Sequence, residues 1–478
     1  TTINWKPLTK ENAWLFSAVG TFLGKRMYEK SGVPQGIIVN SWGGTPIEAW
    51  IPADSLKQDY PLLPLQTALY QDDKLAASQQ EAAKRANDRW MHLLNEADPG
   101  ISEQWTSEGY DDAAWQETSQ YDISPASLRP RACDNTLRPR TCDNIAGTTN
   151  DYIGSLWLRQ HIYIDQAHAG KPARLLLGTL YDQDYTYLNG KEVGRTYYQY
   201  PPRRYQIPEG LLHEGDNILT VRFVNKQGIP HFIKEKPYML IFGKGDTLRL
   251  SEQWKGRLGA TMPACPNLGL SLQNMPSTLY NAVVYPLAPY ALSGIVWYQG
   301  ETNTSNPAPY ADCLKKMMGS WRSLWQDPQL PFCIVQLANF MAPSDKPQDS
   351  SWARLREQQR LTAANDSHAE LAVIIDLGEA NDIHPLRKKE VAERIGLCMD
   401  RMAYGKKVQL SPECTAATAT PITLTFSQPL QAGSIEELEV AGSDGTFVNA
   451  KGTAQGRTVT IASPINNVTR VRYAWKDN

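Results

Sequence analysis

The sequence predicts an α/β protein with a doubly wound parallel sheet, an all-β insert and a small C-terminal β domain. Strand-like and helix-like segments alternate after about residue 255, which is typical of parallel strands joined by helices. Short alternating strands dominate from about Leu156 to Phe242, and strand-like runs with glycine turns return after about Lys407. With 478 residues, the chain also exceeds what one hydrophobic core usually organises.

The first α/β unit is expected near the beginning of the chain. From Glu11 to Gly32 the apolar residues recur at helical spacing and the run closes at a glycine, which predicts an amphipathic helix. The β-branched run of residues 36–39 predicts a buried strand that leads into a turn at Gly43 and Gly44.

A helix is expected to start directly after this turn. Thr45 suits the N-cap, Pro46 the first helical position, and Glu48 completes a capping box.

The second half of the α/β part supplies three further strand and helix pairs. The predicted strands are followed by predicted helices at residues 294–298 and 310–325, 333–337 and 352–364, and 371–375 and from about 387. The expected domains are residues 1–85 and 246–406 for the α/β part, 86–245 for the insert, and 407–478 for the C-terminal β domain.

Composition excludes several classes of function. The formal net charge is −2, from 48 basic and 50 acidic residues, which makes nucleic acid an unsuitable partner. No apolar run approaches the ~20 residues that span a bilayer, and so no membrane span is expected. Residues 1–10 lack the pattern of a secretory signal, and the residues themselves give no location.

The cysteines point to neither a zinc site nor a disulfide framework. There are seven, without C-x-x-C spacing, and buried free thiols are the simplest interpretation. A local duplication places Cys133 and Cys142 in matching contexts, so a disulfide-closed loop stays an alternative there. Neither ligand clusters nor phosphate-binding glycine loops occur, and no metal or organic cofactor is expected.

Three polar segments are candidates for chemistry. Backbone N–H groups reached through Gly43 and Gly44 can stabilise a negative oxygen, although the segment also fits an ordinary capped turn. The loop after the strand at 294–298 offers Asn303 as an oxyanion donor, with Gln299 and Glu301 to support the loop or bind a sugar hydroxyl; a solvated turn is the alternative.

The third candidate is the segment Asp382-Ile383-His384-Pro385. Residues two apart in an extended segment face the same way, so Asp382 can orient His384 for work as a general base. The alternative is a surface Asp and His beside a helix start. The other six histidines lack a comparable position at the end of a strand.

Taken together and in order, the segments "VNSWGGTPIEAW", "GIVWYQGETN" and "NDIHPLRKKEV" resemble the sialate O-acetylesterase and acetylxylan esterase branch of the SGNH hydrolases. The resemblance implies a three-layer, flavodoxin-like domain. The insert, with "YLNGKEVG" and "GLLHEGDNILTVRF", resembles a galactose-binding-like jelly roll. An acetylated carbohydrate is the implied substrate, and a periplasmic or extracellular location is what the family suggests.

The resemblance also implies the role of each site residue. His384 becomes the base, Asp382 its orienting acid, and Asn303 an oxyanion donor beside an amide of Gly43 or Gly44. The reaction would be acyl transfer from a sugar ester through an acetyl-serine.

The nucleophilic serine is the departure from the family pattern. Relatives carry it in a Gly-Gln-Ser-Asn-Met segment that this sequence lacks. We therefore expect the serine upstream of the chain, on an N-terminal segment that would have to associate with it. Ser41 is a weak alternative, because it matches the oxyanion motif instead. A carbohydrate-binding protein without catalysis is the second functional hypothesis, since 14 Trp and 22 Tyr are available to stack on sugars.

Overall fold

The computed structural model describes residues 5–478 except 64, 66–71, 124, 126, 127, 129–151 and 244. Cys133 and Cys142 lie outside the described residues. The chain divides into two units, Thr1–Gln71 with Ser271–Asn478 and, inserted between them, Asp72–Leu270.

Helices and strands of the described residues are numbered here in chain order. The α-helices are α1 (Ala18–Ser31), α2 (Ala53–Leu56), α3 (Asp73–Ala97), α4 (Pro99–Ser102), α5 (Tyr310–Trp325), α6 (Ser351–Ala364) and α7 (Lys388–Met402). Short 3-10 helices cover Ala13–Leu15, Ile47–Trp50, Leu272–Asn274, Tyr285–Leu287 and Glu301–Ser305, and a π-helical turn covers Tyr280–Val284. The strands are β1 (Gln116–Ser119), β2 (Gly154–Ile164), β3 (Ala173–Leu177), β4 (Leu180–Tyr181), β5 (Gln183–Leu188), β6 (Lys191–Thr196), β7 (Arg204–Ile207), β8 (Gly215–Asn225), β9 (His231–Phe232), β10 (Tyr238–Phe242), β11 (Asp246–Arg249), β12 (Gln253–Thr261), β13 (Ile295–Trp297), β14 (Phe332–Val335), β15 (Ala369–Ala372), β16 (Cys414–Ala419), β17 (Ile422–Phe426), β18 (Gly433–Ala441), β19 (Phe447–Gln455), β20 (Thr458–Ala462) and β21 (Arg470–Tyr473).

A parallel sheet with helices on both faces forms the core of the first unit, as the sequence predicts. Its strand order is β13-β14-β15, with Ile295 opposite Phe332 and Cys333 opposite Glu370. Alternate residues of β14 enter different cores, because successive side chains of a strand point to opposite faces. Phe332 and Ile334 pack with α5 and α6, whereas Cys333 and Val335 pack with α1 and α7.

The N-terminal segment departs from the prediction in two ways. The helix begins at Ala18 instead of Glu11, where Ser17 Oγ accepts the Gly20 N–H, and it ends before Gly32 at φ +70°. The strand predicted at residues 36–39 does not form, because no described strand is hydrogen-bonded to it; Ile37 packs against the glycines of α1 instead.

The inserted unit consists mainly of two antiparallel sheets. One has the order β1-β12-β2-β8-β5-β6 and the other β11-β10-β3-β7. Apolar side chains of both sheets, among them Leu158, Leu175, Phe223 and Leu240, share one core. The all-β character is as predicted, whereas the jelly-roll form stays a prediction.

This unit is wider than the insert expected at residues 86–245. It runs from Asp72 to Leu270, because Trp90 and Leu94 of α3 pack on the sheet and β12 pairs with β2. A fully buried ion pair stabilises its interior, with Arg203 Nε 2.7 Å from Asp184 Oδ1. Arg203 also donates to three backbone carbonyls, so the buried charge is well compensated.

The C-terminal β domain is confirmed as a six-stranded antiparallel sheet of order β16-β17-β20-β19-β18-β21. It belongs to the same unit as the parallel sheet. The described helices include none with the length and apolar character that a bilayer crossing requires.

Candidate active site

The candidate residues occupy three segments of the first unit: the turn that precedes Ile47, the loop after β13, and the loop between β15 and α7. Loops after the carboxyl ends of parallel strands are where open α/β sheets bind ligands.

Gly300 gives the loop after β13 its shape. Its φ of +155° is one that residues with a side chain rarely adopt, and an added Cβ would lie 2.6 Å from Leu355 Cδ2. The sharp turn leads into the 3-10 helix Glu301–Ser305, which contains Asn303.

Asn303 is buried and its amide is fixed by three hydrogen bonds. The Oδ1 atom accepts from the Ile47 backbone N–H at 3.0 Å and from Gln299 Nε2 at 2.8 Å, and Nδ2 donates to Glu48 Oε2 at 3.0 Å. Two donors on the oxygen determine which way the amide faces. Of the two Nδ2 hydrogens, one is used in the bond to Glu48.

These contacts overturn the predicted capping box. The Ile47 N–H is capped by Asn303, a residue distant in sequence, and not by Thr45. The Thr45 hydroxyl donates to the Trp42 carbonyl and accepts from the Trp50 indole. The other oxygen of Glu48 accepts from Tyr60 at 2.9 Å, so the carboxylate orients Asn303 instead of completing a capping box.

Gln299 is hydrogen-bonded to residues on both sides of its loop in the fold. Its Nε2 donates to the Thr45 carbonyl at 2.9 Å, and its Oε1 accepts from the Tyr310 hydroxyl at 2.8 Å. The Gln299 carbonyl accepts from Gln359 Nε2 at 3.1 Å. Sequence reasoning missed the supporting roles of Tyr310 and Gln359.

Glu301 lies beside a lysine that joins two loops electrostatically. The pKa of Glu301 is raised by burial, and the charge of Lys388 offsets only part of this shift. The pKa of Lys388 is lowered by burial, and the charges of Glu301, Asp382 and Glu379 offset only part of that shift. The Lys388 ammonium also lies 5.4 Å from the centre of the Tyr298 ring. Lys388 therefore connects the loop after β13 with the loop of the candidate base.

Gly43 and Gly44 occupy an open turn. Gly44 has φ +70°, which favours glycine, and an added Cβ at either position would meet no atom within 4 Å. The space around the two glycines is thus accessible to a ligand. Ser41 is exposed just before them.

Asp382 and His384 are close together, as their spacing predicts. Asp382 Oδ1 accepts the His384 backbone N–H at 2.8 Å and lies 3.8 Å from the imidazole Nδ1. The His384 side chain is 58% exposed and that of Asp382 only 16%, so the imidazole faces solvent while its partner is sheltered. Glu379 holds the loop by accepting the Leu386 N–H at 2.8 Å. The 3.8 Å separation between Asp382 Oδ1 and His384 Nδ1 exceeds a hydrogen bond.

No metal site accompanies these residues in the described part of the chain, where no group of His, Cys, Asp and Glu has a suitable arrangement. The free cysteines there include Cys313, Cys333 and Cys398, which are buried.

Comparison with known proteins points to one family. Residues 266–391 match a family model described as carbohydrate esterase, sialic acid-specific acetylesterase. The sialate O-acetylesterase of Mus musculus is 28% identical over 197 residues, covering 38% of this chain and 32% of that protein. The Homo sapiens sialate O-acetylesterase is 28% identical over 231 residues, covering 42% of this chain and 44% of that protein. The chain thus spans less than half the length of these curated relatives.

Among solved structures, a carbohydrate acetylesterase from Xanthomonas citri is 24% identical with a TM-score of 0.41, covering 65% of this chain and 91% of that one.

Proposed function

The chain is related to the carbohydrate esterases, most directly through residues 266–391, and from this premise we propose that it supplies the base and the oxyanion donors of a carbohydrate O-acetyl esterase. The mechanism is Ser-His-Asp acyl transfer, and the substrates are O-acetylated sialic acid or plant polysaccharide such as xylan.

The observation that carries the proposal is the pairing of Asp382 with His384 after the last strand of the parallel sheet. The carboxylate lies within 3.8 Å of Nδ1, the side of the ring from which an acid orients an imidazole for proton transfer at Nε2. The buried amide of Asn303 and the open turn at Gly43 and Gly44 provide donors for a negative oxygen.

In this mechanism the serine oxygen bonds to the acetyl carbonyl carbon while His384 Nε2 accepts the hydroxyl proton. The resulting oxyanion accepts hydrogen bonds from Asn303 Nδ2 and from a glycine amide. The ester C–O bond then breaks as His384 returns the proton to the sugar oxygen. A water deprotonated by the same histidine hydrolyses the acetyl-enzyme to acetate and free serine.

The serine is supplied, in this proposal, by a polypeptide segment outside these 478 residues. Strand β13 pairs only with β14 among the described strands, and so one of its edges is open to another strand. On the same unit, Ile37 is 39% and Val39 50% exposed, although both are β-branched residues suited to a buried strand. A strand added at this edge would end beside the candidate residues, since parallel strands share their carboxyl edge.

The test extends the protein upstream of Thr1 with its own coding sequence. We expect labelling by a fluorophosphonate serine probe and release of acetate from O-acetylated sugars. His384→Ala should lower the rate by about a thousandfold or more, whereas His92→Ala, in an exposed histidine of α3, should not. If the extended protein is not labelled by the probe and releases no acetate, the proposed esterase function is wrong.

A second function, carbohydrate binding without turnover, is favoured by the exposed tyrosines of the inserted unit. Tyr197, Tyr198 and Tyr200 are 50% to 58% exposed on one loop, where their rings can stack on sugars. Glycan-array binding that Tyr198→Ala abolishes, with no acetate released by the extended protein, would favour this function over the first.

A further inference from the structure

A cavity of about 420 Å³ lies in the first unit. It is lined by Pro52, Ala53, Asp54, Tyr280, Asn281 and Tyr285. Its volume falls within the ~300–1,000 Å³ that is usual for small-molecule sites. None of these residues has a part in the proposed acyl transfer, so the cavity is available for another role.

The helical turn that lines the cavity is tied to the candidate oxyanion segment at two points. The Ser277 N–H donates to the Glu48 carbonyl at 2.9 Å, and Asn40 Nδ2 donates to the Val283 carbonyl at 2.9 Å. Asn40 and Glu48 bracket Gly43 and Gly44 in sequence. The chain around this helical turn is therefore hydrogen-bonded to residues on either side of the two glycines.

Two tyrosine rings give the cavity an aromatic wall. Tyr285 is 60% exposed, and its ring centre lies 6.5 Å from that of Tyr280 at an interplanar angle of 54°. The face of an aromatic ring carries partial negative charge and attracts the polarised C–H groups on one face of a sugar ring. An exposed tyrosine at a cavity is thus well suited to stack on a pyranose.

Polar groups on the same cavity suit hydroxyl groups. Asp54 accepts hydrogen bonds, and Asn281 can both donate and accept. The Asp54 side chain is 96% exposed, and its carboxylate lies 3.4 Å from Lys57 Nζ. Such an exposed pair is only weakly held, so Asp54 still presents negative charge to a ligand. The Lys57 ammonium offsets part of this charge, so a sugar that carries its own carboxylate would be repelled only weakly there, whereas a neutral sugar would not be repelled.

We propose that this cavity binds a neutral pyranose ring of the acetylated carbohydrate, stacked on Tyr285 and hydrogen-bonded to Asp54 and Asn281. The proposal rests on the esterase function for its biological substrate, but binding itself needs no nucleophile. It implies that neutral polysaccharide esters suit this cavity better than sialic acid esters.

The experiment measures binding of xylobiose and of N-acetylneuraminic acid to the 478-residue chain by calorimetry and ligand-observed NMR. We expect xylobiose to bind more tightly, Tyr285→Ala to weaken it about tenfold, and Tyr28→Ala, in an equally exposed tyrosine of α1, to leave it unchanged. Asp54→Asn should reduce the difference in affinity between xylobiose and N-acetylneuraminic acid. Equal binding by the wild type and Tyr285→Ala, or tighter binding of N-acetylneuraminic acid, would overturn the proposal.

Measurements of acetate release distinguish the proposal of a sugar-binding cavity from the proposal of an esterase. Sugar binding that depends on Tyr285, without acetate release by the extended protein, would retain the cavity and reject the esterase. Acetate release with the same KM in wild type and Tyr285→Ala would retain the esterase and reject the cavity.

Discussion

Gln359→Leu is a direct test of how the loop after β13 is held. Gln359 is fully buried in α6, and its Oε1 accepts the Leu337 N–H at 2.9 Å while its Nε2 donates to the carbonyls of Gln299 and Val335 at 3.1 and 3.2 Å. Leucine has a similar size but cannot form these bonds. The single Tyr310 hydroxyl proton lies within reach of both the Gln299 carbonyl and Gln299 Oε1. The substitution therefore leaves the Leu337 N–H without its partner and removes one bond each from the carbonyls of Gln299 and Val335.

The cost follows from the orphaned group. A buried backbone group without a partner costs about 1–3 kcal/mol, and the Leu337 N–H is the group that loses its bond from Gln359. Because 1.4 kcal/mol is a factor of ten, we expect amide exchange in residues 330–340 to accelerate about 5- to 140-fold. Hydrogen exchange followed by mass spectrometry reports this segment separately from the inserted unit.

The matched control is Gln358→Leu, one position away on the same helix and half-buried. We expect its exchange rates to stay within about threefold of the wild type. Exchange in Gln359→Leu that is no faster than in this control would refute the account of how the loop is held.

Three further predictions concern stability. Gly300→Ala should destabilise the first unit by about 2–4 kcal/mol, because alanine is strained at φ +155° and its Cβ meets Leu355. Gly319→Ala, in the open part of α5, is the control and should be neutral or stabilising. Urea unfolding measures the free energy of both variants. Arg203→Met should cost the inserted unit about 3–5 kcal/mol by leaving Asp184 charged and unpaired, and calorimetry should show a smaller loss once Asp184→Asn is added. The inserted unit should also lose thermal stability as the pH rises above about 6.5, because Asp246 and Asp165 raise the pKa of His168, and the Glu214 carbonyl and Glu108 raise that of His213. Stabilisation by a raised pKa is complete below the pKa of the unfolded state and is lost as the pH rises through the pKa of the folded state. A His168→Asn, His213→Asn variant should therefore show a weaker dependence of melting temperature on pH. A dependence as steep as that of the wild type would contradict this.

The parts of the fold that sequence predicts well are those set by local periodicity. Helix α5 was expected at residues 310–325 and is observed there, because its apolar face repeats at helical spacing. The strand expected at residues 36–39 depends instead on a neighbour with free hydrogen-bonding groups. Its residues have the right composition, but composition cannot show whether such a neighbour is present.

The candidate site shows the same limit. Asp382 and His384 are two residues apart, and their proximity was predicted from spacing alone. The partner of the Ile47 N–H could not be predicted, because Asn303 follows the inserted unit in the sequence and is far from Ile47 along the chain. The local pattern predicted Thr45 as the N-cap instead. Gln359 was missed as a support for a related reason, since no local pattern distinguishes a buried glutamine from its exposed neighbours in a helix.

The hydrogen bond between Asn303 and Ile47 has a consequence for the order of folding. It joins residues on either side of the inserted unit, Asp72–Leu270. Closing a flexible loop of roughly 200 residues would cost about 5 kcal/mol of chain entropy. A unit that has already folded removes most of that loss, because its two ends are then held in place. We therefore expect the bond between Asn303 and Ile47 to form more readily once the inserted unit has folded, which couples the geometry of the candidate site to the folding of a separate unit.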